Sequence, residues 1–121
     1  MKTNLARKKG PQTMSSTVEL PFTESQGFLT DDEVYANVDD TLEFQNQTSG
    51  SGSVTIYVLE EDGQSTASAM LGSSNQSFSV SNGSSANKTV LATGKYLLSK
   101  VAPPVDPGDP GGTLITIIVS S

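Results

Sequence analysis

Apolar residues in this chain recur at every second position, in short runs that polar turn residues interrupt before they lengthen. Val18, Leu20 and Phe22 alternate with Thr17, Glu19 and Pro21. Val34, Ala36 and Val38 repeat the pattern, as do Leu42 with Phe44 and Phe78 with Val80. A period of two puts alternate side chains on one face of a strand, the pattern of a half-buried sheet. Two further runs, Val54–Leu59 and Leu114–Val119, are apolar on both faces and read as strands buried between layers. No stretch sustains a helical period. Turn chemistry separates the runs: Asp39-Asp40, the polar Gln47–Gly52 stretch (read as a hairpin loop), Glu60-Glu61-Asp62-Gly63, the tight-turn pair Asn82-Gly83, and the Pro/Gly-rich segment Pro103–Gly112.

This pattern predicts an all-β fold: a small antiparallel β-sandwich of about seven or eight strands. Pro21 lacks an N–H, so its strand is expected at an edge or to end there. The expected core draws on Val18, Leu20, Phe22, Phe44, Ile56, Leu91, Tyr96 and Ile117, among others. Residues 64–75 are ambiguous. Ala67, Ala69 and Leu71 alternate, which favours a strand, although Ala and Met also tolerate a helical turn.

At 121 residues the chain holds one domain, divided as a basic arm (1–16) and a sandwich (17–121). There is no Cys, His or Trp. That excludes disulfides, thiol catalysis, imidazole proton transfer, and zinc, copper or haem sites built from Cys and His. The formal charge is −6, but it is unevenly placed. Four of the seven basic residues, Lys2, Arg7, Lys8 and Lys9, fall in the first ten positions, and residues 11–121 carry three basic against thirteen acidic groups. The basic start is not followed by the apolar run of about 7–15 residues that a secretory signal needs. No apolar stretch of about 18 residues offers a membrane helix. Met14-Ser15-Ser16 would also serve as a start of translation.

The order of segments resembles the cupredoxin-like and immunoglobulin-like sandwiches. The similarity is carried by Asp40–Asn46, Val54–Val58, Phe78–Val80, Gly94–Leu98 and the final Leu114–Val119 run, about two-thirds of the chain. In the copper proteins of that class a G-x-Y-x-Y/F-x-C strand leads to the metal. Here Gly94 and Tyr96 match, Leu98 replaces the aromatic, and Lys100 stands where Cys would be. The resemblance therefore implies architecture without a copper site, and no cofactor or metal is expected. Tyr96 reads as a core aromatic whose hydroxyl finds a backbone acceptor at a sandwich corner; a ligand contact is the alternative.

Acidic clusters at Asp31-Asp32-Glu33, Asp39-Asp40 and Asp106/Asp109 lack the twelve-residue EF-hand pattern and read as solvated turns, with a Ca²⁺ site as the alternative. Glycoside hydrolysis needs two carboxyls at fixed separation in a cleft, which a small sandwich with its acids in turns does not provide. Ser99 and Lys100 are adjacent and point to opposite faces of a strand, so they do not form a nucleophilic pair. The N-x-S/T triplets at Asn46, Asn75, Asn82 and Asn87 are what a Ser/Thr-rich chain yields by chance. The acidic body argues against nucleic-acid binding. The chain is not expected to be an enzyme.

A Ser/Thr-rich, acidic β-domain of extracellular character with no export signal fits a virion component made in the host cytoplasm and displayed on the capsid surface. In size, β character and terminal arm the chain resembles bacteriophage capsid decoration (cement) proteins. That resemblance implies docking on the major capsid protein through Lys2, Arg7, Lys8, Lys9, Val18 and Leu20, as a homo-oligomer, with a trimer as the expected number. The alternatives are a carbohydrate- or surface-binding module using Phe28, Tyr35 or Tyr57, and a tail or fibre-attachment protein.

Overall fold

The computed structural model describes residues 15–108 and 114–121. Nine strands follow in chain order: β1 (Thr17–Thr23), β2 (Gly27–Phe28), β3 (Glu33–Asn37), β4 (Thr41–Asn46), β5 (Ser53–Glu60), β6 (Ser77–Ser81), β7 (Ser85–Thr89), β8 (Gly94–Ser99) and β9 (Leu114–Ser120). They form a four-stranded sheet, β2-β1-β4-β7, packed on a five-stranded sheet, β3-β9-β8-β5-β6. Helical structure among the described residues is a single 3-10 turn, Ser73–Asn75.

The sandwich is mixed rather than purely antiparallel. β1 runs parallel to β4, with Thr17 opposite Thr41 and Phe22 opposite Asn46. β3 runs parallel to β9, with Glu33 opposite Thr116. Parallel neighbours arise because the chain repeatedly changes sheet: β3 departs to the larger sheet, β4 returns, β5 and β6 depart, and β7 returns. The stretch expected to be a hairpin loop and the expected tight turn are therefore both corners between layers. Gln47–Gly52 carries the chain from β4 to β5, and Asn82-Gly83 from β6 to β7. The second is a tight turn all the same, with Ser84 N donating to Ser81 O at 3.0 Å and Gly83 at φ +77°. The alternation fixes which face is inward, and it is identical whichever sheet a strand joins.

The inward residues of both sheets make one core. Leu20, Phe22, Leu42, Phe44, Ile56 and Ile117 are all fully buried. Phe44 meets Phe78 across the two layers, edge to face, at a centroid distance of 4.9 Å. Beside β2, the strand β1 is paired only at Phe22 and Thr23, so its first half is a sheet edge. Pro21 sits there with its carbonyl accepting Leu29 N at 2.9 Å, on the side where no N–H is required.

Two expectations fail locally. Residues 64–75 form no strand: Thr66 makes an isolated bridge to Leu59, and the segment then turns. Its buried residues are Ala67, Met70 and Leu71, spaced as in a helical turn, while Ala69 is exposed. Leu91 is 55% exposed, and the preceding Val90 fills the core instead. β7 ends at Thr89, so the inward phase stops one residue before Leu91.

A second, smaller apolar cluster lies on the outer face of the five-stranded sheet. Leu59, Leu97 and Leu114 are buried there, with Tyr57 and Val105 packed against them. What covers them is the first part of the Pro-rich segment. Val105 N donates to Gly63 O at 2.8 Å, clasping residues 101–108 to the turn after β5. Gly63 holds φ +74°, and a Cβ there would sit 2.6 Å from the Val105 carbonyl oxygen. Both the conformation and the close approach require glycine.

Candidate functional site: the end of β8 and the exposed faces

The sequence resemblance to copper proteins runs along β8 through Gly94 and Tyr96, so the groups at the end of that strand form the candidate site. Ser99 is fully buried, its hydroxyl accepting from Val101 N and donating to Val101 O, both at 2.8 Å. Lys100 donates through Nζ to the backbone carbonyl of Glu24, in the turn between β1 and β2. Glu24 N in turn donates to Thr48 Oγ1 at 2.9 Å. Thr48 N donates to Asn46 Oδ1 at 3.0 Å. Asn46, 2% exposed at the end of β4, spends Nδ2 on Val80 O (2.8 Å) and on Asn82 Oδ1 (3.0 Å). This end of the sandwich is closed by amides, hydroxyls and backbone.

At the opposite end of β8, Tyr96 is 6% exposed and its hydroxyl donates to Thr93 O at 2.8 Å, the corner role expected of it. Burial, and then the nearby Glu60 carboxylate, raise its pKa above the ordinary 10.0. Gly94 makes room for the ring.

The buried carboxylate is Asp40, 5% exposed. Its Oδ1 accepts Ser16 N at 2.9 Å and its Oδ2 accepts Asn37 N at 2.8 Å. Asp39, at φ +77°, makes the turn that places it. Among the described residues, outside which Asp109 lies, the remaining acids are exposed apart from the half-buried Glu43. Asp31, Asp32 and Glu33 are exposed, with Glu33 accepting the Tyr35 hydroxyl; that bond, then the charge of Glu33, raises the Tyr35 pKa. A shallow, open depression at the turn after β5 is lined by Glu60, Glu61 and Asp62, and Glu61 pairs with Lys95 at 3.5 Å.

Of the residues expected to dock on a partner, Lys2, Arg7, Lys8 and Lys9 lie outside the described residues. Val18 is half-buried against the core and Leu20 is fully buried, so the Leu20 side chain serves packing and offers a partner nothing. The exposed residues of that strand are Thr17 and Glu19. Of the three aromatics considered for ligand contact, Phe28 is buried against Phe22 at 5.6 Å and Tyr57 is half-buried beside the second cluster. Tyr35 alone of the three is open, at 64% exposure on β3. Asn46 is too buried to carry a glycan, whereas Asn87 is exposed on β7.

The roles of Asn46, Asp40 and Lys88 were not legible as sites. Lys88 points inward from β7, lies 4.6 Å from the centre of the Phe78 ring, and donates to Asn75 Oδ1 at 2.9 Å. The alternation of Ala86 with Lys88 was the available signal.

No protein-family model matches this chain, and no curated protein does. Solved structures do. Reduced auracyanin from the photosynthetic bacterium Roseiflexus castenholzii superposes with a TM-score of 0.52 over 89% of this chain and 98% of that one, at 14% identity. Auracyanin B gives 0.52 over 91% and 92%, at 16% identity. A Cu(I) form of an amicyanin mutant gives 0.52 over 89% and 86%, at 12% identity. The chain thus has the cupredoxin-like β-sandwich fold. Copper does not fit it. The sequence holds neither Cys nor His, and among the described residues no three Asp, Glu, His or Cys side chains gather as a metal site.

Proposed function

We propose that this chain is a non-catalytic structural component of a virion, a capsid decoration protein that docks on the major capsid protein. The observation that carries the reading is the end of β8. There Asn46, Thr48, Ser99 and Lys100 are all engaged in hydrogen bonds that tie the end of the sandwich together, which supports a scaffold role. The acidic body and basic first ten residues supply a solvated exterior and a docking element of opposite charge. Repeated weak contacts around a symmetric shell add up through multivalency.

The test is to mix the full chain with undecorated capsids and follow co-sedimentation. Saturable binding that a Lys2/Arg7/Lys8/Lys9→Ala variant loses is the expected result. No binding even at low salt overturns the reading. One observation favours a second reading, a carbohydrate- or surface-binding module: the open Tyr35 ring on an edge strand. Glycan binding abolished by Tyr35→Ala would replace the first reading with this one.

A further inference from the structure

The four-stranded sheet has an outward face built from alternate residues of β1, β4 and β7. The register aligns Thr17, Thr41 and Thr89 in one row and Glu19, Glu43 and Asn87 in the next. Glu19 and Glu43 are thus direct partners across a parallel ladder. Like charges in that position destabilise a sheet unless a cation joins them. Gln45 Nε2 donates to Glu43 Oε1 at 3.0 Å, but no cationic side chain among the described residues reaches either carboxylate.

The body has no cation to spare. Lys88 is held inside by Asn75 and Phe78, Lys95 pairs with Glu61, and Lys100 binds the Glu24 carbonyl. The other four basic residues, Lys2, Arg7, Lys8 and Lys9, belong to the segment that precedes Ser15. That segment joins the body at Ser16, whose carbonyl accepts Thr41 N and whose N–H is held by Asp40. Ser16 so prolongs the β1–β4 ladder one residue beyond the threonine row, on the side away from Glu19 and Glu43.

We infer that the basic arm of one copy lies across the outer face of the four-stranded sheet of a second copy, with Lys8 and Lys9 neutralising Glu19 and Glu43. The inference rests on the assembly reading only in treating the arm as a docking element; the capsid does not enter it. Exchange of arms between copies closes as a symmetric oligomer.

The experiment is sedimentation of the full chain across concentration and salt. Self-association is expected at about 0.01 M ionic strength and is lost at about 1 M, as the Debye length falls from ~30 Å to ~3 Å. Glu19→Lys/Glu43→Lys and, separately, Lys8→Glu/Lys9→Glu each weaken association at least about tenfold, the scale of two exposed pairs reversed. Glu19 is exposed and Glu43 half-buried on the outer face, so circular dichroism of each variant checks that it folds. Mixing the two variants restores a 1:1 complex, since each supplies the face or arm the other can use. A monomer at every salt, association indifferent to Glu19→Lys/Glu43→Lys, or salt-sensitive arm contacts without concentration dependence (an arm lying on its own face) each overturn the inference. Capsid co-sedimentation of Glu19→Lys/Glu43→Lys separates the two readings: binding retained while self-association is lost leaves decoration standing.

Discussion

A Cβ added at Gly94 would lie 2.9 Å from the hydroxyl oxygen of Tyr96, two residues along the same strand. Gly94 itself holds φ +138°, a conformation L side chains rarely adopt. The pair is one device: the glycine lets the ring fold back over the strand start, where its hydroxyl closes on Thr93 O.

Gly94→Ala therefore combines backbone strain with a clash, and should cost about 1–3 kcal/mol in urea unfolding. Tyr96→Phe keeps the ring and removes one hydrogen bond, costing about 1 kcal/mol. A Gly94→Ala midpoint equal to wild type would refute the close fit.

Alkali should act through the same ring. The Tyr96 pKa in the folded state lies above 10.0, chiefly through burial. The contribution is whole below pH 10.0 and is lost as pH rises towards the folded value, because the unfolded chain ionises first. Stability measured from pH 8 to 11 should fall less steeply in Tyr96→Phe than in wild type.

Asp40 binds two backbone N–H groups at once, from Ser16 and Asn37. Asp40→Ala leaves both donors without their acceptor and should cost about 2–3 kcal/mol, with Asp40→Asn intermediate. Hydrogen exchange at the Ser16 and Asn37 amides should rise ahead of the core; unchanged protection there would discount the carboxylate.

Lys88 closes the side of the sandwich between β7 and β6. Lys88→Ala should cost about 1 kcal/mol through loss of the ring contact and the Asn75 bond. It also removes an inward charge that guards an edge strand, so aggregation on heating should increase. Light scattering during a thermal ramp reads this directly.

The clasp between Gly63 and Val105 is testable by Gly63→Ala. Positive φ and a 2.6 Å approach should release residues 101–108 and uncover Leu59, Leu97 and Leu114. The expected sign is stronger binding of an apolar dye with far-ultraviolet dichroism unchanged. Dye binding equal to wild type would show that the clasp survives.

The inward residues were readable because a period of two names a face: Leu20, Phe22, Phe44, Ile56 and Ile117 are all buried. Sheet membership was not, since β4 and β6 carry the same alternation and join different layers. Residues 64–75 misled because Ala67, Met70 and Leu71 are buried at helical spacing inside an alternating composition. Leu91 misled by one residue of phase. The lack of metal donors at the end of β8 was plain from the absence of Cys and His. What fills that end was hidden, because Asn46 finds Val80 and Asn82 at separations of 34 and 36 residues. Asp40 likewise meets Ser16 across 24.

The carboxylate that grips Ser16 also holds Asn37 N at the end of β3, a strand of the other sheet. Tension applied at Ser16 would thereby reach both layers at once, instead of peeling β1 from its neighbour like the end of a zip. A tether rooted this way can bear mechanical load while the strand behind it stays seated.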